Sequence, residues 1–489
     1  GDDRGPSAHD LIWRVCQHAG MTDELWRRGA LELAGMIARK EVSSREVVDA
    51  HLARIDAVNP AVNAVVRRLD DEARAAADAA DAALAGGNSL GPLHGVPMTV
   101  KENIDLAGTP TTQAVAALAD AVAPIDAPIV ARMRLAGAIP IGRTNLPDLG
   151  LRVTTESSLH GDTRNPWNRT RTAGGSSGGE AAALATGMSP VGLGNDIGGS
   201  LRNPAHCCGI TSIKPTSGVV PSATVIPPTE LMLAAEIMFS DGPMARHVAD
   251  VRAALLAIAG ADDRDVRSIP VTLTDRLAEG GRLRVAVLPD PPGGDTHGEI
   301  SGAIVRAADA LSDLGADITY ATPPSYEQAV ELWTRLLVEE IHWQRPLAGM
   351  IMGEAGLQFL DYALELYPQT DTATYLPLHA ARNGIGQAWH EFLTEYHVLL
   401  SPTWAQPAFE LGHDVSSLDA AAGVLQQIRP VVPMNLLGIP AAVVPVGMAD
   451  GLPVGAQVVG RRFADLTCLA VAEMIEQALG VLTPIDPRS

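Results

Sequence analysis

Residues 174–179 read GGSSGG, and residues 194–200 read GNDIGGS. The placement of the first run decides the fold. A Gly/Ser run can be a flexible linker, but linkers are usually longer and lie between polar stretches. Here EAAALATGM (180–188), a helix former, follows without a gap. The run therefore reads as a turn, free of strand, that feeds a helix N-terminus where backbone N–H groups point outward. Residues 174–178 also match G-x-S-x-G, the elbow that places a serine between a strand and a helix. An elbow needs an apolar strand directly before it, and the preceding NPWNRTRTA (165–173) is polar and carries Pro166. It also needs an acid and a histidine downstream; His247, His297 and His413 exist but stand in no recognisable setting. Linker and elbow remain the minority readings beside a third kind of serine site.

Bulk properties narrow the function classes. The chain has 489 residues, 46% hydrophobic and 19% charged, which suits a soluble globular protein with a large core. Its formal net charge is -21, with no Lys/Arg-rich tract, so nucleic acid and membrane surfaces are disfavoured as partners. No apolar run approaches the ~18 residues that a membrane helix requires. The opening GDDRGPSAHD is acidic and polar, unlike a secretory signal. Four cysteines, Cys16, Cys207, Cys208 and Cys468, are too few for a disulfide framework and read as small buried apolar residues, which fits a cytoplasmic location. HExxH, Walker A and GxGxxG patterns are all missing, so neither a metal nor a nucleotide cofactor is expected.

Periodicity gives the architecture. The first ninety residues read as helical: SSREVVDAHLARI places Ser43 and Glu46 in capping-box spacing, with Val48, Leu52 and Ile55 on one face. An Ala-rich helix follows at about 70–85. GVPMTV (95–100) is a short apolar strand running into Lys101, and Asp126 with Pro128 opens a helix that Gly137 stops before the strand AIPI. Strands are predicted again at 282–289, 397–403, 438–447 and 454–460, with amphipathic helices between them. The alternation predicts an α/β layered fold around one large sheet. We expect a single domain over 1–489, with a helical segment 1–90, a core 91–250, and 251–489 completing the same sheet.

Four blocks then agree in order: GPLHGVPMTVKENI (91–104), AGGSSGGEAAALATGMSPVGLGNDIGGSLRNPAHCCGITSIKPT (173–216), SDGPMAR (240–246) and GLPVGAQVVG (451–460). They resemble the amidase signature family, the Ser-cisSer-Lys hydrolases, from about residue 30 to 480. The resemblance implies an α/β fold with a large mixed central β-sheet covered by helices on both faces. It implies that Lys101 is the base, Ser176 the bridging serine after a cis Gly175–Ser176 peptide, and Ser200 the nucleophile. The residue chemistry agrees. A serine hydroxyl needs a neighbouring base, and lysine serves only when neutral, which burial at the end of an apolar strand promotes. Ser176 can donate and accept at once and so relay a proton. The amides of Ile197, Gly198, Gly199 and Ser200 can converge on a developing oxyanion, two glycines allowing close approach. Ser177 and Asp196 are expected to support these groups by hydrogen bonds, and Arg202 to serve as a structural charge.

The sequence departs from the family pattern at Asn195, where threonine is common, at Thr211-Ser212, where glycine is usual, and at Arg143, where lysine is frequent. We expect these to touch supporting positions only. The segment 221–239 is rich in apolar residues, and Met232, Leu233, Ile237 and Met238 are candidates for an apolar flap over the substrate, with ordinary helix packing as the competing reading. The expected reaction is acyl transfer through an acyl-enzyme on a small apolar amide, anilide or carbamate, without cofactor, in a chain similar to bacterial aryl-acylamidases and urethanases. A homodimer is possible. The rival readings are an amidotransferase subunit working with partner chains, and a catalytically dead binding module.

Overall fold

The computed structural model describes residues 24–88, 91–227, 229–275, 277 and 280–488; Cys16 and the first twenty-three residues lie outside them. Eleven strands form one sheet: β1 Val65–Arg68, β2 Pro97–Lys101, β3 Ile139–Thr144, β4 Val191–Asp196, β5 Thr211–Lys214, β6 Ser240–Ala245, β7 Arg284–Val287, β8 Asp317–Tyr320, β9 Val398–Pro402, β10 Ala441–Ala449 and β11 Leu452–Val459. Across the sheet the order is β1-β3-β2-β4-β6-β5-β10-β11-β9-β7-β8. Pairing is mixed: β3, β2 and β4 run parallel, β6 is antiparallel to both β4 and β5, and β9, β7 and β8 are parallel again.

Helices cover both faces because the strands are apolar on both. Val444, Val458 and Leu400 pack into one core cluster with the helices Val248–Ile258, Gly298–Asp313 and Asp465–Leu479. Their neighbours Val443, Val459 and Leu399 point the other way into two further clusters, with the helices Gly178–Ala185, Arg202–Cys208, Tyr326–Ile351 and Val432–Leu437. This period of two assigns Val100 to the first face. Thr99 and Lys101 consequently face the second, toward the helix that follows GGSSGG.

Several sequence expectations hold in detail. Ser43 and Glu46 form a complete capping box on the helix Ser44–Val62, and the Ala-rich helix spans Asp70–Ala85. Two readings need correction. The first ninety residues are not wholly helical, because Val65–Arg68 pairs antiparallel with β3. Asp126 is not the cap of the helix Pro128–Leu135, whose N-cap is Ala127; the Asp126 carboxylate accepts the Ala107 amide instead. Cys207, Cys208 and Cys468 are buried and free, as expected for small apolar residues.

Candidate active site

Lys101 is the last residue of β2 and is fully buried. Its Nζ donates to Ser176 Oγ at 2.7 Å and to Asn195 Oδ1 at 2.7 Å. Burial strips the ammonium of water and pulls its pKa down to about 7, although the carboxyls of Asp241, Asp196 and Glu180 oppose the shift. An amine so placed is neutral for much of the time near neutral pH and can accept a proton. Asn195 is itself tied to Asn103, with Nδ2 donating to Asn103 Oδ1 at 3.0 Å. The departure at Asn195 therefore does more than support the site from a distance. The side chain touches the lysine directly.

Ser176 sits in a turn between the polar stretch 165–173 and the helix Gly178–Ala185, with no strand in front of it. The arrangement removes the elbow reading. The Gly175–Ser176 peptide is cis, as the resemblance implies. Gly175 must be glycine because a Cβ there would lie 2.6 Å from both the amide nitrogen and the carbonyl oxygen of Thr154. Gly150 adjoins the serine, where a Cβ would meet Ser176 Oγ in ordinary contact at 3.4 Å; its φ of 70° is what favours glycine.

Ser200 lies in the turn after β4, joined to the first turn by the Ser177 amide, which donates to the Ser200 carbonyl at 3.3 Å. Ser177 Oγ reaches the Asn195 carbonyl at 3.4 Å. Asp196, at the end of β4, organises this turn. Its Oδ1 accepts the Gly199 amide at 2.7 Å and its Oδ2 accepts the Leu201 amide at 3.1 Å. Arg202 Nε donates to Asp196 Oδ2 at 3.0 Å, and both side chains are fully buried. Burial raises the carboxyl pKa, but the Arg202 charge and the hydrogen bonds from Arg202 and Asn435 prevail and hold it down at about 2. The expectation that four amides form the oxyanion site is corrected at Gly199, whose N–H is committed to Asp196. Among the described residues the amides of Ile197, Gly198 and Ser200 have no acceptor. Gly198 packs under Trp333, whose Cζ2 would stand 2.5 Å from a Cβ, and Trp333 Nε1 donates to the Ile197 carbonyl at 3.0 Å.

The apolar segment is divided. Leu233 is half exposed and Ile237 half-buried, in the short helix Leu233–Met238. Met232, half-buried, is the N-cap residue of that helix. Met238 is fully buried, in the same core cluster as Trp333 and Val431, which favours helix packing over a place in an exposed flap for this residue. Glu340 accepts the amides of Ala234 and Ala235 and so fixes the N-terminus of this helix. Two surface cavities, of about 460 and 510 Å³, are lined by residues around Asp148 and Gly353 and around Gln406 and Asp450; Lys101, Ser176 and Ser200 line neither. Among the described residues no group of three or more His, Cys, Asp or Glu is placed to hold a metal ion, and no helix is long and apolar enough to cross a membrane.

Sequence reasoning missed Asn435, Trp333 and Val431, which reach the 196–202 turn from more than a hundred residues away. Asn103 was within reach, standing two residues after Lys101 in the first of the four blocks.

An amidase family model matches residues 46–469. An indoleacetamide hydrolase from Bradyrhizobium diazoefficiens is 39% identical over 94% of this chain and 88% of its own length. A glutamyl-tRNA(Gln) amidotransferase component from Acidothermus cellulolyticus is 35% identical over 93% of this chain and 95% of its own. The solved structure of a bacterial aryl acylamidase of the amidase signature family superposes with a TM-score of 0.78, at 28% identity, over 92% of this chain and 96% of that one. The chain belongs to the amidase signature family. Its activity, at that level, is hydrolysis of an amide.

Proposed function

We propose that this amidase cleaves small apolar amides, anilides or aryl carbamates through an acyl-enzyme on Ser200. The observation that carries the reading is a fully buried lysine whose Nζ stands 2.7 Å from Ser176 Oγ. In the first half-reaction Ser200 Oγ attacks the carbonyl carbon. Its proton passes through Ser176 to the neutral Lys101 amine, and then to the departing nitrogen as the C–N bond breaks. Water repeats the sequence on the ester, releasing the acid and restoring the Ser200 hydroxyl; with a carbamate, the acid released loses carbon dioxide. The unpartnered amides of Ile197, Gly198 and Ser200 are suited to stabilise the oxyanion, an effect that mutagenesis elsewhere values at about 3–4 kcal/mol per donor. Exposed Leu231 and Leu233 favour an apolar substrate, and the Bradyrhizobium relative is named for an aromatic acetamide.

The test is a panel of a nitroanilide, a primary amide and an aryl carbamate, read with pH. Because Lys101 works only when neutral and burial lowers its pKa to about 7, kcat/KM rises with pH through about 7 and then levels. A phenylmethylsulfonyl or fluorophosphonate probe adds mass to the peptide bearing Ser200; labelling at Ser176 in its place contradicts the assignment. The identity to an amidotransferase component keeps one second reading in view, and it is opposed by the charge of -21. Glutamine hydrolysis together with co-purifying partner chains would favour it.

A further inference from the structure

Helix Gly178–Ala185 begins immediately after the two serines, and in its first turn stands a fully buried carboxyl, Glu180. Glu180 Oε2 accepts the Thr144 hydroxyl of β3 at 2.7 Å, and Oε1 accepts the Thr99 hydroxyl of β2. The carboxyl lies over Gly192 of β4, where a Cβ would overlap Glu180 Oε1 and Cδ. One side chain thus joins three parallel strands: the one that ends in Lys101, its neighbour β3, and the one that ends in Asn195 and Asp196.

The charges around the pair are few. Lys101 and Glu180 act on each other electrostatically, and the amine also faces Asp241 of β6 and Asp196 of β4. Asp196 is paired with Arg202, on the helix Arg202–Cys208. Burial pushes the Asp241 carboxyl up to about 6. His206, on the helix that carries Arg202, is directed to the Gln406 carbonyl and the Gly455 amide. On β3 the Arg143 guanidinium is directed to backbone carbonyls, among them that of Lys101 at 3.3 Å. On β1, Arg68 is directed to Asp56 and Asp70. Glu180 itself is pushed up by burial to about 7, against the hydrogen bonds of Thr99 and Thr144 and the Lys101 charge. The two groups are both buried and act on each other, so the charge on one bears on how readily the other holds a proton.

We propose that Glu180 is a positioning residue for the reaction, fixing the strand that carries Lys101 and setting how readily the Lys101 amine holds a proton. This rests on the reading of Lys101 as the base. When the amine is protonated the carboxylate stabilises it, and when the amine is neutral the carboxyl can keep the proton, so the pair changes form without a change of net charge.

The experiment measures the second-order rate of Ser200 modification by phenylmethylsulfonyl fluoride across pH 5 to 9, in the native protein and in Glu180→Gln. The amide keeps the shape of the carboxyl but removes the negative charge. The acidic limb of the Glu180→Gln profile is expected to move to lower pH by about half a unit or more, so that below the limb the variant reacts about threefold faster than the native protein. Should this variant not fold, Thr144→Val is read in its place. It removes one donor to the carboxylate, raises the carboxyl's own affinity for protons, and moves the limb in the same direction by less. A limb that stays in place or moves upward in a folded variant overturns the inference. If the native profile has no limb, or the label is not on Ser200, the reading of Lys101 and Ser200 fails first.

Discussion

Lys101 and Arg202 are both fully buried on the same face of the sheet, and they differ in what holds them. Lys101 is held by two neutral oxygens, from Ser176 and Asn195, and burial brings its pKa to about 7. Arg202 is held by the Asp196 carboxylate, which stays charged with a pKa of about 2, and by Val431, Asn435 and Gln457 oxygens. Residues 195 and 196 are consecutive on β4, so one strand end supplies both environments. Removal from water penalises both charges; the Lys101 amine, with only neutral oxygens in contact, is brought down to about 7, whereas Arg202 sits against a carboxylate. A neutral partner leaves an amine that can change its proton, and an ionic partner leaves a fixed clamp for the turn 197–201. Reactivity and rigidity are separated by one residue.

The largest expected effect is at the neutral side. Lys101→Ala should lower kcat/KM by about 10³-fold or more, the upper part of the range for a lost general base, with a native circular dichroism spectrum and little change in unfolding midpoint. A folded variant within tenfold of native activity would remove Lys101 from the chemistry. Next comes the ionic side. Arg202→Met leaves Asp196 buried without its counter-charge and should reduce unfolding free energy in urea by about 3–5 kcal/mol. An unchanged midpoint would show that the pair is not what holds the turn. The smallest effect tests the contrast at its closest point. Asn195→Thr keeps an oxygen on the same strand but shortens its reach to Lys101, so kcat/KM should change by less than about tenfold, consistent with the loss or lengthening of one hydrogen bond. A loss of a hundredfold would mean that Asn195 does more than hold the amine.

The parts of the site that lie within one continuous stretch were readable. The glycines and serines of 174–179 and 194–200 announce turns, and Lys101 follows directly on a recognisable apolar strand. The capping box was readable too, because Ser43 and Glu46 carry the mechanism in their spacing. β4 and β6 were not. VGLGND and SDGPMA contain glycine or proline, which ordinarily weaken a strand. Here the glycines make room for side chains from the layer above: Gly192 for Glu180, and Gly194 for Ser177, whose Oγ would stand 2.9 Å from a Cβ. β1 escaped because VVRR is four residues long with two exposed arginines, lying between two strong helices. The commitment of the Gly199 amide to Asp196 was also hidden, because a backbone donor has no signature in sequence. Asn435 and Trp333 come to the site only through the packing of the helices Val432–Leu437 and Tyr326–Ile351.

The short helix Leu233–Met238 is fastened at its start by Glu340, and at its end the Met238 carbonyl accepts from Asn435 Nδ2 at 3.2 Å. Its exposed Leu233, and Leu231 just before it, take part in neither attachment. On the proposed reading of these leucines as facing an apolar substrate, substrate range would shift by exchange at positions 231 and 233 without disturbing the Arg202–Asp196 pair or the lysine. Directed evolution aimed at new acyl groups has a natural place to begin there, and screening libraries confined to those two positions should retain folded, active protein far more often than libraries that include 192, 196 or 202.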